Sequence, residues 1–414
     1  MPDHVTLQRS ENHDARRAVV VGGSMSGLLA GLMLRQAGWA VDVFERVEGE
    51  LSGRGAGIVA QPELIAVLAG LGLATGHLGV AVERRRLFDS AGRLLIERPC
   101  PQILTAWERV YRLLRDAFPA AHYHRGRALA AFEQDAGHVR VRFSDGSAVE
   151  ADLLVGADGI RSTVRAQLLP EAKPLYAGYV AWRALVAEAS LSPAVHRDLF
   201  ESMSFCLPPG EQMLGYPVAG PGDDLRPGRR RYNLVWYRPA DEQTGLVDLL
   251  TDDSGMLHPV SIPPPLIRRD VIAAMHAAAR RLLAPQFSAI MQAVEEPILQ
   301  PIYDLAVPRM AFGRVAILGD AAFVARPHVA AGVSKAAGDA AALVAALAQE
   351  CDVAAALRRF EAERLPVGHR IISRARQLGA YLQAGAAKDD AEGARHGVPE
   401  AVIAETALTD FLKA

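Results

Sequence analysis

Residues 18–45 read AVVVGGSMSGLLAGLMLRQAGWAVDVFE, and this stretch decides the fold. Residues 18–21 form a β-branched run typical of a strand, and helix formers follow from Leu28. Residues 40–44 have the composition of a second strand. The stretch therefore predicts a strand, a tight turn, a helix and a parallel strand, the unit from which doubly wound sheets are built.

The turn in this unit carries a phosphate-binding pattern. Gly22 and Gly27 occupy the outer positions of G-x-G-x-x-G, and Ser24 stands where the middle glycine usually lies. Glu45 ends the second strand at the usual spacing of about 20 residues, where an acid receives ribose hydroxyls. We expect a dinucleotide with its pyrophosphate at the helix N-terminus, and a glycine-rich turn without a ligand is the alternative.

Two later segments repeat this design. Residues 151–165, ADLLVGADGIRSTVR, predict a buried strand that ends in a turn with Asp158 and Gly159. Residues 315–320, VAILGD, predict another strand that ends in Gly319 and Asp320 and precedes a long alanine-rich helix. Asp158 alone is better explained as a helix cap, so the interpretation rests on the order and spacing of all three segments.

Composition limits the class of protein. The chain has 414 residues, half of them hydrophobic, which suffices for two domains. The 45 basic and 47 acidic residues give a net charge of −2, so we expect no nucleic-acid partner. The three cysteines lie far apart and predict neither a disulfide framework nor a metal site. Residues 1–16 predict a disordered tail, no apolar run is long enough for a membrane span, and we expect a cytoplasmic protein with no membrane association.

The element order predicts an α/β fold: a Rossmann-like dinucleotide-binding domain with an inserted mixed or antiparallel β-sheet substrate domain and a C-terminal helical segment. The dinucleotide domain is expected from residues 17–73, 101–169 and 302–365. Residues 74–100 and 170–301 are expected to form the substrate domain over the site. Residues 366–414 predict helices on the surface or at the contact of a possible homodimer.

From about Arg17 to Leu365 the chain resembles the class A flavoprotein aromatic hydroxylases, which have the para-hydroxybenzoate hydroxylase fold. The three glycine turns carry this resemblance. Residues 54–58 (RGAGI), 176–183 (YAGYVAWR), 258–268 (HPVSIPPPLIR) and 326–332 (RPHVAAG), together with the serine in the first turn, look most like the dihydroxypyridine hydroxylase subgroup.

The resemblance implies FAD, NADH or NADPH as a transient co-substrate, O2 and a small aromatic, hydroxypyridine-like substrate. Hydroxylation would proceed through a flavin C4a-hydroperoxide, since the oxygen chemistry belongs to the flavin. The residues implied for FAD are Gly22, Gly23, Ser24, Met25, Ser26, Gly27, Glu45, Arg46, Arg54, Gly55, Ala56, Gly57, Ile58, Arg112, Leu129, Asp158, Gly159, Gly319, Asp320, Pro327, Gly332, Val333 and Ser334.

Three side chains are candidates for handling the proton of the substrate hydroxyl: His328, His258 and Tyr216. Each has a structural alternative. His328 can be a buried structural histidine, His258 beside a proline cluster can face solvent, and Tyr216 lies in an alternating strand that can face either way.

Two other functions stay open. One is another flavin oxidoreductase on the same scaffold, an epoxidase or an isoprenoid reductase, which a greasy pocket would favour. The other is a non-catalytic escort-type binding protein. The presence of all three glycine turns and of the segment 327–332 argues against the escort interpretation.

Overall fold

The computed structural model describes residues 15–51, 57–385 and 391–412. In chain order its strands are β1 (Arg17–Val21), β2 (Ala40–Phe44), β3 (Gly57–Val59), β4 (Val80–Phe88), β5 (Leu94–Ala106), β6 (Tyr123–His124), β7 (Leu129–Gln134), β8 (Val139–Phe143), β9 (Ala148–Ala151), β10 (Leu153–Gly156), β11 (Leu175–Ala187), β12 (Met203–Cys206), β13 (Gln212–Val218), β14 (Arg231–Pro239), β15 (Ile298–Ala306), β16 (Ala311–Phe312), β17 (Val315–Ile317) and β18 (Phe323–Val324). Its helices are α1 (Met25–Gln36), α2 (Pro62–Gly70), α3 (Trp107–Ala117), α4 (Thr163–Leu168), α5 (Pro193–Leu199), α6 (Gly245–Leu250), α7 (Arg269–Leu282), α8 (Pro285–Gln292), α9 (Gly332–Gln349), α10 (Val353–Gly379), α11 (Ala391–His396) and α12 (Pro399–Glu405).

The first sheet has the order β16-β17-β10-β1-β2-β6. Strand β1 lies in the middle and pairs in parallel with β10 and β2. Residues 18–21 and 153–155 are buried, as expected for parallel strands covered on both faces. Helices α1 and α9 pack against each other, and the core around this sheet takes residues from both. The carboxyl ends of β1, β2 and β10 thus meet at one edge, where ligands bind in such sheets.

The second sheet has the order β18-β15-β11-β14-β13-β12-β4-β5-β3. Its neighbours are antiparallel except β4 and β12, so the sheet is mixed. Side chains of this sheet alternate between two faces. Trp182 and Trp236 lie on the outer face, which packs in the outer core against α5 to α8, while Tyr179 and Tyr237 lie on the opposite, inner face. Strands β7, β8 and β9 form a third, small sheet that is not hydrogen-bonded to the other two. The predicted α/β fold with a mixed sheet is confirmed.

Two predicted boundaries fall inside continuous elements. Strand β5 runs through the expected boundary at residue 100, because its long hairpin with β4 keeps pairing to Leu104. Helix α10 runs through the expected boundary at residue 365 with Pro366 inside it. Burial of its apolar side chains on both sides of the proline, among them Phe360 and Ile371, holds the helix together despite the lost backbone hydrogen bond.

The C-terminal helices pack against the second sheet. Val402, Ile403 and Ala407 are buried against the second sheet. The Arg85 Nη1 donates to the Ile403 carbonyl at 2.9 Å, and the Ala407 backbone N–H donates to the His328 carbonyl at 2.7 Å. This segment therefore contributes to the core on that side of the second sheet.

No helix in the described ranges has the length and apolarity that crossing a bilayer requires.

A glycine substitution tests the tight packing of α1. A Cβ at Gly27 would overlap the carbonyl oxygen of Gly22, whereas a Cβ at Gly70 meets no atom within 4 Å. We expect Gly27→Ala to lower the free energy of unfolding by about 1–3 kcal/mol, as overpacking does. Gly70→Ala should change it by less than about 1 kcal/mol, in the stabilising direction. Urea denaturation of the apoprotein measures both, and equal stability of the two variants would contradict the packing described here.

Candidate active site

The three glycine turns meet around one cavity of about 260 Å³. Its floor is the edge where β1, β2 and β10 end, as expected for a doubly wound sheet. The lining residues are Val21, Gly22, Ser24, Ser26, Phe44, Glu45, Arg46, Val47, Leu51, Trp107, Arg127, Ala128, Leu129, Ala157, Asp158, Gly159, Thr163 and Asp320. Each predicted turn thus contributes at least one residue to the same wall.

The N-terminus of α1 opens onto this cavity. Gly22 has a φ of +108°, and a Cβ there would overlap the Ala157 carbonyl oxygen, so only glycine fits between the first and second turns. Ser24 is the N-cap residue, yet its side chain accepts no capping hydrogen bond, and the first turn of α1 holds no acidic residue. The free N–H groups and the helix dipole therefore suit an anion such as a pyrophosphate.

Two backbone N–H groups fix the Glu45 carboxylate at the end of β2. Its Oε2 accepts from the Gly23 N–H at 2.8 Å, and its Oε1 accepts from the Val47 N–H at 2.9 Å. Each carboxylate oxygen retains a lone pair for a further donor. The carboxylate is thus oriented to accept hydrogen bonds from vicinal hydroxyls such as those of a ribose.

Asp158 organises its own loop. Its Oδ1 accepts from the Ser162 hydroxyl at 2.5 Å, and its Oδ2 accepts from the Thr163 N–H at 2.6 Å. Burial raises the pKa of Asp158 above its ordinary value, although these donors act in the other direction. The carboxylate therefore supports the start of α4 and the turn beside it.

Hydrogen bonds of Arg165 and Asp339 connect the turns, and neither residue was predicted from the sequence. Arg165 donates to the carbonyls of Ile160 at 2.6 Å and Ala321 at 3.0 Å, which joins the second turn to the third. Asp339 accepts from the Gly319 N–H at 3.1 Å and also binds the Arg364 guanidinium at 2.9 Å. The sequence signal available for Asp339 was an acidic residue within an alanine-rich helical segment.

The third turn brings one further acid to the cavity. Gly319 has a φ of +60°, and a Cβ there would overlap the Ser26 side chain, so this turn packs directly on α1. The Asp320 side chain is 53% exposed and lines the cavity. The buried Lys335 Nζ lies 3.9 Å from its Oδ1. Asp320 can therefore accept hydrogen bonds from a ligand.

Several predicted residues take other positions. Gly23, Met25 and Gly27 belong to the first turn and α1 but do not line the cavity. Arg112 binds Glu108 at 2.8 Å and lies 3.6 Å from Asp223 instead of reaching the cavity. Gly57 and Ile58 lie in β3. Arg54, Gly55 and Ala56 lie outside the described residues.

The segment before α9 makes a one-turn helix at residues 327–329 and a left-handed residue, Ala330, with a φ of +47°. The structure thus places an alanine in a backbone conformation that favours glycine. Gly332, Val333 and Ser334 open α9, whose N-cap Ala331 has no capping side chain. This N-terminus also presents free N–H groups.

His328 is buried beneath the second sheet. Its Nε2 shares a hydrogen bond of 2.9 Å with the Tyr179 hydroxyl, and its ring centroid lies 4.4 Å from that of Tyr237. Burial, followed by the charge of Arg326, lowers the pKa of His328 to about 3. The ring is neutral at pH 7 and a weak base, which favours hydrogen bonding over proton abstraction for this candidate.

The other two candidates lie on opposite faces of the second sheet. Tyr216 packs beside Gly57, and burial raises its pKa to about 12. His258 binds Asp252 at 2.8 Å and donates its backbone N–H to Leu250, which packs in the outer core with α6. The structure thus brings Tyr216 to the inner face with Tyr237 and does not bring His258 there.

Comparison with known proteins agrees with this geometry. A family model described as FAD binding domain matches residues 282–375, and one described as FAD binding domain-like matches residues 176–304. The 2,6-dihydroxypyridine 3-monooxygenase of Paenarthrobacter nicotinovorans is 34% identical over 89% of this chain and 92% of its own length. The chain belongs to the FAD-dependent monooxygenases.

Further relatives support the assignment. The 3-amino-4-hydroxybenzoate 2-monooxygenase of Streptomyces cremeus is 34% identical over 87% of this chain and 86% of its own length. The solved structure of 2,6-dihydroxypyridine-3-hydroxylase from Arthrobacter nicotinovorans superposes with a TM-score of 0.84 at 32% identity, covering 91% of this chain and 96% of that one. Klebsiella pneumoniae HpxO, complexed with FAD and uric acid, gives 0.73 at 25% identity, covering 94% and 93%. The resemblance stated from the sequence is confirmed.

The cavity fits the family's cofactor. The uncapped N-terminus of α1 suits the pyrophosphate of FAD, and Glu45 suits the ribose. Glycines are required where the turns touch, since a Cβ at Gly22 or Gly319 would overlap a neighbouring turn. The described residues therefore form a coherent FAD cradle.

Replacing Glu45 tests this cradle. A glutamine amide in its place can accept from only one of the two N–H groups that now bind the carboxylate, and its NH2 would face the other. We expect Glu45→Gln to weaken FAD binding by about 10- to 100-fold. Titration of the apoprotein with FAD measures the affinity, and Glu48→Gln, at an exposed position of the same loop, is the control. Equal FAD affinity in both variants would show that Glu45 does not contribute to FAD binding.

The buried His328 predicts a pH-dependent stability. Between pH 6.5 and about 3 the unfolded chain binds a proton at this residue and the folded chain does not, so stability falls as the pH falls. From pH 6.5 to 5, wild type should lose about 1–2 kcal/mol more than His328→Gln. Denaturant melts across this range measure the difference, with the exposed His138→Gln as control. Parallel profiles for wild type and His328→Gln would show that burial does not neutralise this ring.

Proposed function

We propose that this protein uses FAD, O2 and NADH or NADPH to hydroxylate an electron-rich aromatic or heteroaromatic ring. One observation carries the proposal: the inner face of the second sheet, with Tyr179 and Tyr237, contacts His328 in the segment that leads to α9. That segment follows the third glycine turn, Gly319 and Asp320, after the short strand β18. An aromatic ring held on this face would therefore lie beside the reactive end of the cofactor.

The protein's own residues provide binding and orientation. The first turn of α1, Glu45 and Asp320 would hold FAD, and bound FAD supplies the activation of O2 and the transfer of one oxygen atom. The buried side chains of Tyr179, Tyr216 and Tyr237 make the inner face of the second sheet, called the roof below, an aromatic surface shielded from solvent. Such a surface limits the access of water to the reacting ring.

The nicotinamide co-substrate is proposed to bind transiently. The sequence holds one G-x-G-x-x-G-type turn, and FAD accounts for it. The exposed Arg46, at the mouth of the cavity, has no acidic partner among the described residues. Oxidation rates with NADH and with NADPH decide which of the two the protein uses.

The substrate class follows from the relatives and from the roof. Relatives include enzymes named for 2,6-dihydroxypyridine and 3-amino-4-hydroxybenzoate, both small polar aromatics. The inner face carries Arg183, Asn233 and Tyr216 as well as apolar side chains. This polar content favours a hydroxypyridine-like ring over the isoprenoid substrates of an epoxidase or reductase. The complete FAD cradle disfavours an escort-type protein.

Activity with candidate rings tests the proposal. The purified protein should show the absorbance of bound FAD and oxidise NADH or NADPH faster when a hydroxypyridine or a phenol is added. Mass spectrometry should find one added oxygen atom in the ring product. If no aromatic compound stimulates nicotinamide oxidation and no oxygenated product forms, this function is wrong. A colourless protein that cannot be loaded with FAD would revive the escort alternative.

A further inference from the structure

Arg183 on β11 is a half-buried cation without a counter-charge. Its Nη1 donates to the Gln300 side chain at 2.9 Å, and its Nη2 donates to the Gly57 carbonyl at 3.3 Å. No carboxylate of the described residues lies within ion-pair distance of the Arg183 guanidinium. Its buried Nε has no hydrogen-bond partner among the described residues. An unpaired charge in such a position is costly unless something else compensates it.

Asn233 on β14 supplies a second unpaired donor. The residue is completely buried, and its Oδ1 accepts from the Gly57 N–H at 2.9 Å. This bond fixes the amide so that Nδ2 points away from Gly57, and Nδ2 has no partner among the described residues. Gly57 is therefore held on both sides, at its N–H by Asn233 and at its carbonyl by Arg183.

The register places both donors on one face. Arg183 lies opposite Val235, two residues from Asn233 along β14, and Tyr216 lies directly opposite Asn233. Side chains two residues apart on a strand point to the same side. Both therefore belong to the inner face, the face whose Tyr237 contacts His328.

The outer face of the same sheet shows the usual solution for such groups. There Glu211 accepts from the Trp236 indole N–H at 2.8 Å and from the Arg238 Nε at 3.1 Å. Nitrogen donors of the outer face are thus satisfied by an acid of the protein. On the inner face Asp304 does the same for Arg326 and Arg376, but no acid of the described residues binds Arg183 or Asn233. An acidic group of a ligand would supply the acceptor that these two donors lack.

We propose that Arg183 and Asn233 recognise an anionic oxygen carried by the aromatic ring of the substrate. This inference rests on the proposed function, because it assigns the ring to the inner face. A buried donor left without an acceptor costs about 1–3 kcal/mol, and both donors would gain one. The oxygen can belong to a carboxylate on the ring or to an ionised ring hydroxyl, since either accepts from a guanidinium and an amide.

Equilibrium binding to the FAD-loaded protein separates these sources without requiring turnover. Calorimetry at pH 8 compares benzoate with benzamide and 2,6-dihydroxypyridine with pyridine. Wild type should bind at least one anionic probe about 10-fold or more tightly than its neutral partner. Preference for benzoate identifies a carboxylate as the recognised group, and preference for the dihydroxypyridine identifies a ring oxyanion.

Two variants and one control assign the preference to the pair. Arg183→Met removes the charge, and Asn233→Asp keeps the acceptor for Gly57 but replaces the free donor by a carboxylate beside Arg183. Each should weaken the preferred anionic probe by about 10- to 100-fold and leave the neutral probe within about 3-fold. Arg238→Met, on the outer face, should change neither affinity. If Arg183→Met does not fold, Asn233→Asp alone decides.

The outcomes distinguish this inference from the proposed function. Absence of any anionic preference in wild type, or an unchanged preference in the two variants, overturns the inference even where hydroxylation is observed. Loss of the preference in the variants supports the site, and it does so also if no ring stimulates nicotinamide oxidation, in which case only the hydroxylase proposal fails.

Discussion

The structure depends on the close contact of three turns, with a glycine at each point where two of them touch. Gly27 lies on the carbonyl of Gly22, Gly22 lies on Ala157, and Gly319 lies on Ser26. Any Cβ at these glycines would overlap a neighbour, so the turns approach closely enough for one extended ligand to touch all of them. The N-terminus of α1 at this contact has no side-chain cap and opens onto the cavity, so its N–H groups are suited to a phosphate group.

Long-range hydrogen bonds keep this arrangement rigid. Arg165 reaches Ala321 across 156 residues of sequence, and Asp339 joins the third turn to α10 through Arg364. The second sheet is fixed to the cradle in a similar way, since Tyr179 binds His328 and Gly57 is bound by Asn233 and Arg183. Hydrogen bonds thus connect the second sheet to segments next to the glycine turns, so a ligand between them would meet two parts that are fixed relative to each other.

The sequence predicted what is local. The first βαβ unit, its Glu45 and the turn at Asp158 follow from periodicity, glycine spacing and strand composition within a few dozen residues. The boundary expected at Leu365 instead falls inside α10, because tertiary packing of this helix outweighs the helix-breaking tendency of Pro366. The roles of Arg165, Asp339 and Arg183 could not be predicted, because they depend on partners that lie far away in sequence, such as Gly57 at 126 positions from Arg183.

The charges around the site are distributed unevenly, although the net charge of the protein is only −2. Glu45 and Asp158 both accept hydrogen bonds from donors of the protein, and the exposed Asp320 has the Lys335 ammonium 3.9 Å away. The positive groups are not satisfied in the same way: the N-termini of α1 and α9 lack capping side chains, and Arg183 has no acid partner among the described residues. Because burial keeps His328 neutral, it adds no further charge near the roof. The site is therefore locally electropositive at two separate places, the phosphate end and the roof, and this separation matches a cofactor and a substrate that each carry negative charge at one end.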